Sequence, residues 1–217
     1  KDGILNGLWE RFYENGQLWT RGTFINGKEH GYWKSFYENG QLSQKQNYNN
    51  GERDDFWEYF DKEGNLTKTE EYKNGIVISY TNFIYYLGNL TKTEEYKNGI
   101  ETSYTNFMYH DNGQLRSRIN YKNNGRHLSE YYDINGQLRY RENYKNGEMD
   151  GLQETFTDHG KLLIKKNYKN GERDGLYEFL HENGQLRYRV NYKNGKMDGL
   201  REYFDKDGNL TGDRKSV

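Results

Sequence analysis

The sequence predicts an all-β chain: an elongated antiparallel meander of about nine tandem hairpin units, each about 24 residues long, in a single twisted sheet shaped as a rod or groove. Three observations carry that reading. A turn of the Glu-Asn-Gly-Gln-Leu kind, or a near variant, recurs with its glycine at Gly16, Gly40, Gly64, Gly88, Gly113, Gly136, Gly160, Gly184 and Gly208. A second turn, typically Tyr-Lys-Asn-Gly, falls between these at Gly27, Gly51, Gly75, Gly99, Gly125, Gly147, Gly171 and Gly195. The composition is 32% apolar yet 17% aromatic, with 22 tyrosines and no proline. Disordered chains are poor in aromatics, whereas tyrosine suits a half-buried pleated surface, and proline in a central strand would delete a ladder hydrogen bond.

In chain order, Lys1-Asp2-Gly3 reads as one more turn of the second kind, so at least one further repeat is expected upstream of Lys1. Each interval between turns holds one strand of about 7 residues and is too short for a helix with two loops. The loop Glu14-Asn15-Gly16 fits a type I turn closed by a left-handed glycine, which sets Phe12 opposite Leu18. The same pairing is expected for Phe36/Leu42, Phe60/Leu66, Phe156/Leu162 and Phe204/Leu210.

Side chains alternate along a strand, so parity from each turn glycine assigns a face. By that count Leu186, Tyr192, Leu200 and Phe204 share one regular face, the apolar set that packing of neighbouring hairpins requires. The other face collects Trp9, Trp19, Trp33 and Trp57 beside Tyr13, Tyr37 and Tyr59, and farther on Arg116, Arg118, Arg139, Arg141, Arg187 and Arg189. Two irregularities interrupt the period. Residues 65–86 and 89–110 match at eighteen of 22 aligned positions, as an internal duplication would. The following turn spacings place a bulge or reshaped turn at Lys122-Asn123-Asn124-Gly125. Residues 1–217 read as a single repeat domain, with 209–217 a polar tail.

Composition also limits function. Thirty-two Lys and Arg balance 33 Asp and Glu, a net charge of -1 that points to neither nucleic acid nor an anionic membrane. Without cysteine there are no disulfides and no thiolate metal sites. The histidines His30, His110, His127, His159 and His181 fall at unrelated repeat positions and form no metal-ligand spacing. No nucleophile elbow or phosphate-cradling loop is present, so no enzyme, metal or cofactor is expected. The acidic stripe Glu10, Glu58, Glu130, Glu154, Glu178, Glu202 keeps one register position and reads as structural. No apolar run approaches a membrane span, and the compartment stays open, with the cytoplasm favoured.

The segment Asn146-Gly147-Glu148-Met149-Asp150-Gly151-Leu152, followed by Gly160-Lys161-Leu162 and Asn167-Tyr168, resembles the MORN repeat in its bacterial variant form. Chains built this way look like the YwqK-type family of antitoxin or immunity proteins. That resemblance implies a toxin or effector as partner and no catalytic residues. Departures lie at 76–110, where Ser79 replaces the second glycine and Asn82 the usual glutamate.

Two functions follow. The first is a non-enzymatic scaffold binding a protein partner through Trp9, Tyr13, Trp19, Trp33, Tyr37, Trp57 and Tyr59, with Arg139, Arg141, Arg187 and Arg189. The aromatic stripe reads equally as a cover over the second side of a single-layer sheet, and the arginines as a solvated face with local Glu partners. The second function is a membrane-associated or surface structural element in which those four arginines contact lipid headgroups. A free edge strand offers a further binding mode by strand addition.

Overall fold

The computed structural model describes residues 3–123 and 125–215, so the expectations for Lys1-Asp2, Asn124 and Ser216-Val217 lie outside the described residues. Among them are nineteen strands and no helix. The chain divides into two compact units, Lys1–Thr102 and Ser103–Val217. The first holds β1 (Gly7–Phe12), β2 (Leu18–Ile25), β3 (Lys28–Phe36), β4 (Leu42–Asn49), β5 (Glu52–Arg53), β6 (Asp55–Phe60), β7 (Leu66–Lys73), β8 (Ile76–Tyr86) and β9 (Asn89–Lys97). The second runs from within β10 (Ile100–Tyr109) through β11 (Leu115–Lys122), β12 (Gly125–Tyr132), β13 (Leu138–Lys145), β14 (Glu148–Phe156), β15 (Leu162–Lys169), β16 (Glu172–Leu180), β17 (Leu186–Lys193), β18 (Lys196–Phe204) and β19 (Leu210–Lys215). Each unit is an open antiparallel meander of tandem hairpins. The stretch expected to be a polar tail instead supplies β19, paired with β18.

Both turn types form as their residues dictate. In the first, the Gly16 amide donates to the Tyr13 carbonyl at 3.0 Å and the Tyr13 amide to the Gln17 carbonyl at 2.8 Å. Asn15 Oδ1 accepts the Gln17 amide, and Gly16 adopts φ +83°. The expected pairs Phe12/Leu18, Phe36/Leu42, Phe60/Leu66, Phe156/Leu162 and Phe204/Leu210 all stand opposite one another. In the second, Asn26 and Gly27 both take positive φ, +52° and +77°, the two-residue hairpin geometry whose twist matches the strands. Gly27, Gly51, Gly75, Gly171 and Gly195 also reach back to the preceding repeat: the Gly51 amide donates to the Glu29 carbonyl, and Gly195 to that of Arg173.

Several places depart from the period, among them a break between β5 and β6 at Asp54. At Gly88 the chain makes a two-residue turn, Leu87-Gly88, with Tyr86 facing Asn89; this copy has neither the Asn of Asn15 nor the capping Asp or Thr of Asp61 and Thr157 that closes the longer loop. In β12 the register shifts between Asn120 and Tyr121 of its partner strand, leaving His127 without a direct cross-strand partner just past Gly125, as the shift between Glu71 and Tyr72 leaves Ile78 in β8.

The assignment of faces by parity is corrected. Each hairpin carries a one-residue bulge just past its leucine: Arg11 faces Thr20 and Phe12 faces Leu18, which leaves Trp19 as the extra residue. Arg139 and Arg187 hold the same position, as the registers of β12/β13 and β16/β17 show. An extra residue reverses the alternation beyond it. Arg141 therefore stands opposite Glu130, and Arg189 opposite Glu178, on the side away from the Trp33 position. The same bulging separates the regular face: Tyr192 lies on the Val190 side, and Leu200 with Glu202 on the other. The buried side chains are Trp33, Trp57 and Tyr72 in the first unit, and Val190 and Tyr192 in the second.

Candidate functional site

The pairing register sorts each unit's side chains into cross-strand rows, since directly opposed residues share a face. On the covered side of the first unit, aromatic rings touch in an unbroken file from β1 to β7. Trp9 lies 5.6 Å from Trp33, Phe24 packs edge-on to Trp33 at 5.0 Å, and Tyr48 bridges Trp33 and Trp57 at 6.2 and 5.2 Å. Trp57 meets Tyr72 at 5.0 Å, carries the Arg53 guanidinium 4.4 Å above its ring and donates from Nε1 to the Asn47 carbonyl at 3.0 Å.

The file ends on a buried carboxylate. Glu70 accepts the Tyr59 hydroxyl at 2.6 Å, the Tyr72 hydroxyl at 2.8 Å and the Lys68 ammonium at 2.6 Å. Burial pushes the Glu70 carboxyl up, but Lys68 and the two hydroxyls outweigh it and hold it below the usual carboxylate range. Burial and the adjacent carboxylate push the Tyr59 hydroxyl far above its ordinary value. A saturated carboxylate beside a firmly protonated phenol is suited to holding strands together, not to moving protons.

Of the two readings of the aromatic stripe, the burial of its inner members favours the cover over the second side of the sheet. Trp33 and Trp57 are 7% and 2% exposed, and Trp9, Trp19, Tyr13, Tyr37 and Tyr59 are half-buried. The hydroxyls of Tyr13 and Tyr37 donate to the Phe36 and Phe60 carbonyls, each at 2.7 Å, and Trp19 lies against Tyr13 with Arg11 over its ring. The file gives the sheet a packed side because no second layer covers it.

The opposite side of this unit is open. Leu8, Tyr32 and Phe56 repeat at 24-residue spacing on β1, β3 and β6, and are 72%, 60% and 56% exposed. Next to them runs a row of charges in register: Glu10 faces Arg21, Arg21 faces Lys34, Lys34 faces Lys45, and Lys45 faces Glu58. Lys45 pairs with Glu58 at 3.1 Å and stands 5.5 Å from the Tyr32 ring centre. Parity counting missed this surface. A usable signal was present: position 34 holds Lys where the acidic stripe holds Glu.

In the second unit the corresponding row is Arg118, Glu130, Arg141, Glu154, Lys165, Glu178, Arg189, Glu202, with strictly alternating sign. Glu130, 3% exposed, accepts from Arg118 Nε at 2.8 Å, Arg141 Nε at 3.1 Å and the Tyr132 hydroxyl at 3.0 Å. Burial raises its carboxyl, and Arg141, Tyr132 and Arg118 together bring it below the usual range. Arg141 also reaches Glu154 at 3.0 Å, and Arg189 pairs with Glu202. Arg139 pairs with Asp158, and the Arg187 guanidinium lies 5.1 Å from the Phe179 ring centre. The structure thus spreads the four arginines over ladder, bulge and ring contacts and does not gather them into one patch.

Among the described residues, no group of three His, Cys, Asp or Glu side chains is arranged to hold a metal ion, and no helix is long and apolar enough to cross a membrane.

A family model described as "MORN repeat variant" matches residues 5–26, 29–50, 105–123, 128–146, 149–170 and 173–194, together more than half of the chain. Among solved structures, the chain is similar to accessory secretory protein 1,2 and 3 of Streptococcus pneumoniae at 19% identity, over 46% of this chain and 18% of that one, with a TM-score of 0.31. It is similar to the Photorhabdus luminescens Tc holotoxin pore at 12% identity, over 95% of this chain and 15% of that one, with a TM-score of 0.35. A Bacteroides fragilis protein of unknown function matches at 13% identity, over 64% of this chain and 91% of that one, with a TM-score of 0.18. The chain spans less than a fifth of the length of the first two. No curated protein matches it.

Proposed function

The chain belongs to the MORN repeat variant family, and from that premise we propose that it is a non-enzymatic repeat scaffold that binds a protein partner, as an antitoxin, immunity or inhibitor protein does. The observation that carries this reading is the recurrence of Leu8, Tyr32 and Phe56 at one repeat position, largely exposed on the open side of the first unit. Exposed apolar side chains repeated along one side and bordered by charge are what a protein partner buries, and tyrosine is among the residues that dominate such contacts. The aromatic file on the other side is committed to packing and serves to hold this surface in shape. The antitoxin refinement is supported only by the resemblance of the repeats to the YwqK-type family.

A scaffold without chemistry of its own fits the two most buried carboxylates, Glu70 and Glu130, whose oxygens are taken up by fixed donors. A lipid-binding role draws less support, because Arg139, Arg141 and Arg189 are already neutralised by Asp158, Glu130, Glu154 and Glu202.

The test is affinity purification of the tagged chain from its native lysate, beside a Tyr32→Ser, Phe56→Ser double variant. Both side chains are exposed, so the variant keeps its fold, checked by circular dichroism. A stoichiometric partner retained by the wild type and lost by the variant is the expected result. A chain that elutes alone, or a partner held equally by both, overturns the proposal.

A further inference from the structure

The charge row on the open side of the first unit contains a contradiction in electrostatic terms. Across β1, β2, β3, β4 and β6 its members are Glu10, Arg21, Lys34, Lys45 and Glu58, so three cations stand side by side between two acids. In the second unit the same row alternates from Arg118 to Glu202, where Glu202 pairs with Arg189 on one side and faces Asp213 of β19 on the other. The difference arises at one residue. Lys34 occupies the position that is glutamate at Glu10, Glu58, Glu130, Glu154, Glu178 and Glu202.

Like charges directly opposite one another on a sheet repel, and a glutamate at 34 would turn both of its contacts from repulsive to attractive. Among the described residues, Lys45 has Glu58 as an ion-pair partner, whereas Arg21 and Lys34 enter no ion pair. The unneutralised pair sits beside Tyr32, 60% exposed, with Leu8 and Phe56 on the same side in the neighbouring repeats. An isolated cation cluster with an apolar border is complementary to one kind of surface: carboxylates flanked by apolar side chains.

We propose that the Arg21–Lys34–Lys45 row is the recognition site for an acidic segment of a protein partner, whose carboxylates meet Arg21 and Lys34 while its apolar residues cover Leu8, Tyr32 and Phe56. This rests on the protein-binding reading above and names the chemistry of the partner. The local cost of the lysine is relieved when the acidic segment docks, so the row favours the bound state over the free one.

The probe is a fluorescein-labelled synthetic peptide that alternates glutamate with leucine and phenylalanine, with a counterpart carrying lysine for each glutamate. Fluorescence anisotropy follows titration of the full chain, at low and at moderate salt. The acidic peptide is expected to bind, to weaken as salt rises, and to outbind the basic one. Lys34→Glu is expected to lower the affinity by roughly 10-fold or more and to raise the thermal midpoint, and Lys34→Gln to fall between. Equal binding by Lys34→Glu, or no preference for the acidic peptide, overturns the inference. So does displacement of the acidic peptide by a short DNA duplex or by anionic vesicles at lower concentration, which would assign the row to phosphates. Purification from the native lysate separates the two levels. A partner lost by the Tyr32→Ser, Phe56→Ser variant but kept by Lys34→Glu refutes the acidic site alone, whereas a partner indifferent to both refutes the protein-binding reading itself.

Discussion

The ring of Trp33 lies against the backbone of Gly22: a Cβ built on that glycine would stand 2.0 Å from Cδ2 and 2.1 Å from Cε2 of the indole. Here the glycine serves neither a turn nor a positive φ. It leaves room for a large ring to lie on the neighbouring strand, and Trp9 and Phe24 then close around the same ring. Gly22→Ala must therefore displace Trp33, because an indole held between two other rings cannot swing aside. The cost expected for this overpacking is about 1–3 kcal/mol. It is read as a lower urea midpoint, together with a red shift in tryptophan emission as Trp33 gains solvent. An unchanged emission maximum at unchanged stability would contradict the packing described.

A second prediction concerns acid. The Glu70 carboxyl is held below its ordinary value by Lys68 and the hydroxyls of Tyr59 and Tyr72, against the opposing effect of burial. A carboxyl depressed in the folded state contributes stability above its unfolded pKa of about 4.3, and loses it as pH falls through the folded value. The first unit, which contains all four tryptophans, should therefore lose stability on acidification below that range. Urea titrations followed by tryptophan emission from neutral pH to pH 3 will show a falling midpoint in the wild type and a shallower fall in Glu70→Gln. Parallel curves would remove Glu70 from the account.

A third prediction comes from the hairpin at Leu87. Among the described residues, ten non-glycine residues take positive φ, of which eight are asparagines of the second turn type; the others are Asp55 and Leu87. Asparagine tolerates the left-handed region because its short polar side chain bonds locally, whereas leucine there crowds its own backbone. Leu87 is 85% exposed at φ +48°, so little packing is lost on replacing it. Leu87→Asn is expected to stabilise by about 0.5–1 kcal/mol, measured as a raised thermal midpoint. A drop would mean that the leucine makes contacts beyond those of the free chain.

Much of the architecture was legible because the turns are chemically specific. Asn-Gly with two positive φ values and the Glu-Asn-Gly loop leave little choice of connection, so strand number and the Phe12/Leu18 class of pairing follow from the residues alone. Faces were not legible, and the reason is local. The bulged residue after each leucine, Trp19 in one copy and Arg139 in another, carries no distinctive side chain, yet it inverts every assignment beyond it. Burial was left open between two readings of the aromatic stripe, partner surface and cover, because composition cannot tell that a file of rings across adjacent strands buries its own inner members, as it does Trp33 and Trp57. The open surface at Lys34 was visible in the 24-residue alignment once the acidic stripe was known to be a paired row.

The first-type turns are tied to one another by side chains as well as by strands. Tyr13 and Tyr37 donate to the Phe36 and Phe60 carbonyls, the rings of His110 and His181 reach the Tyr132 and Phe204 carbonyls, and Asn15, Asn39, Asn112 and Asn183 reach the next loop in the same fashion. Every such link joins a copy to its immediate successor. Loss of order should therefore spread from copy to copy, as a zipper opens tooth by tooth, and a chain organised this way can lengthen by inserting a whole copy without retuning distant positions. The near-twin stretches 65–86 and 89–110 have the form that such an insertion event leaves in a gene.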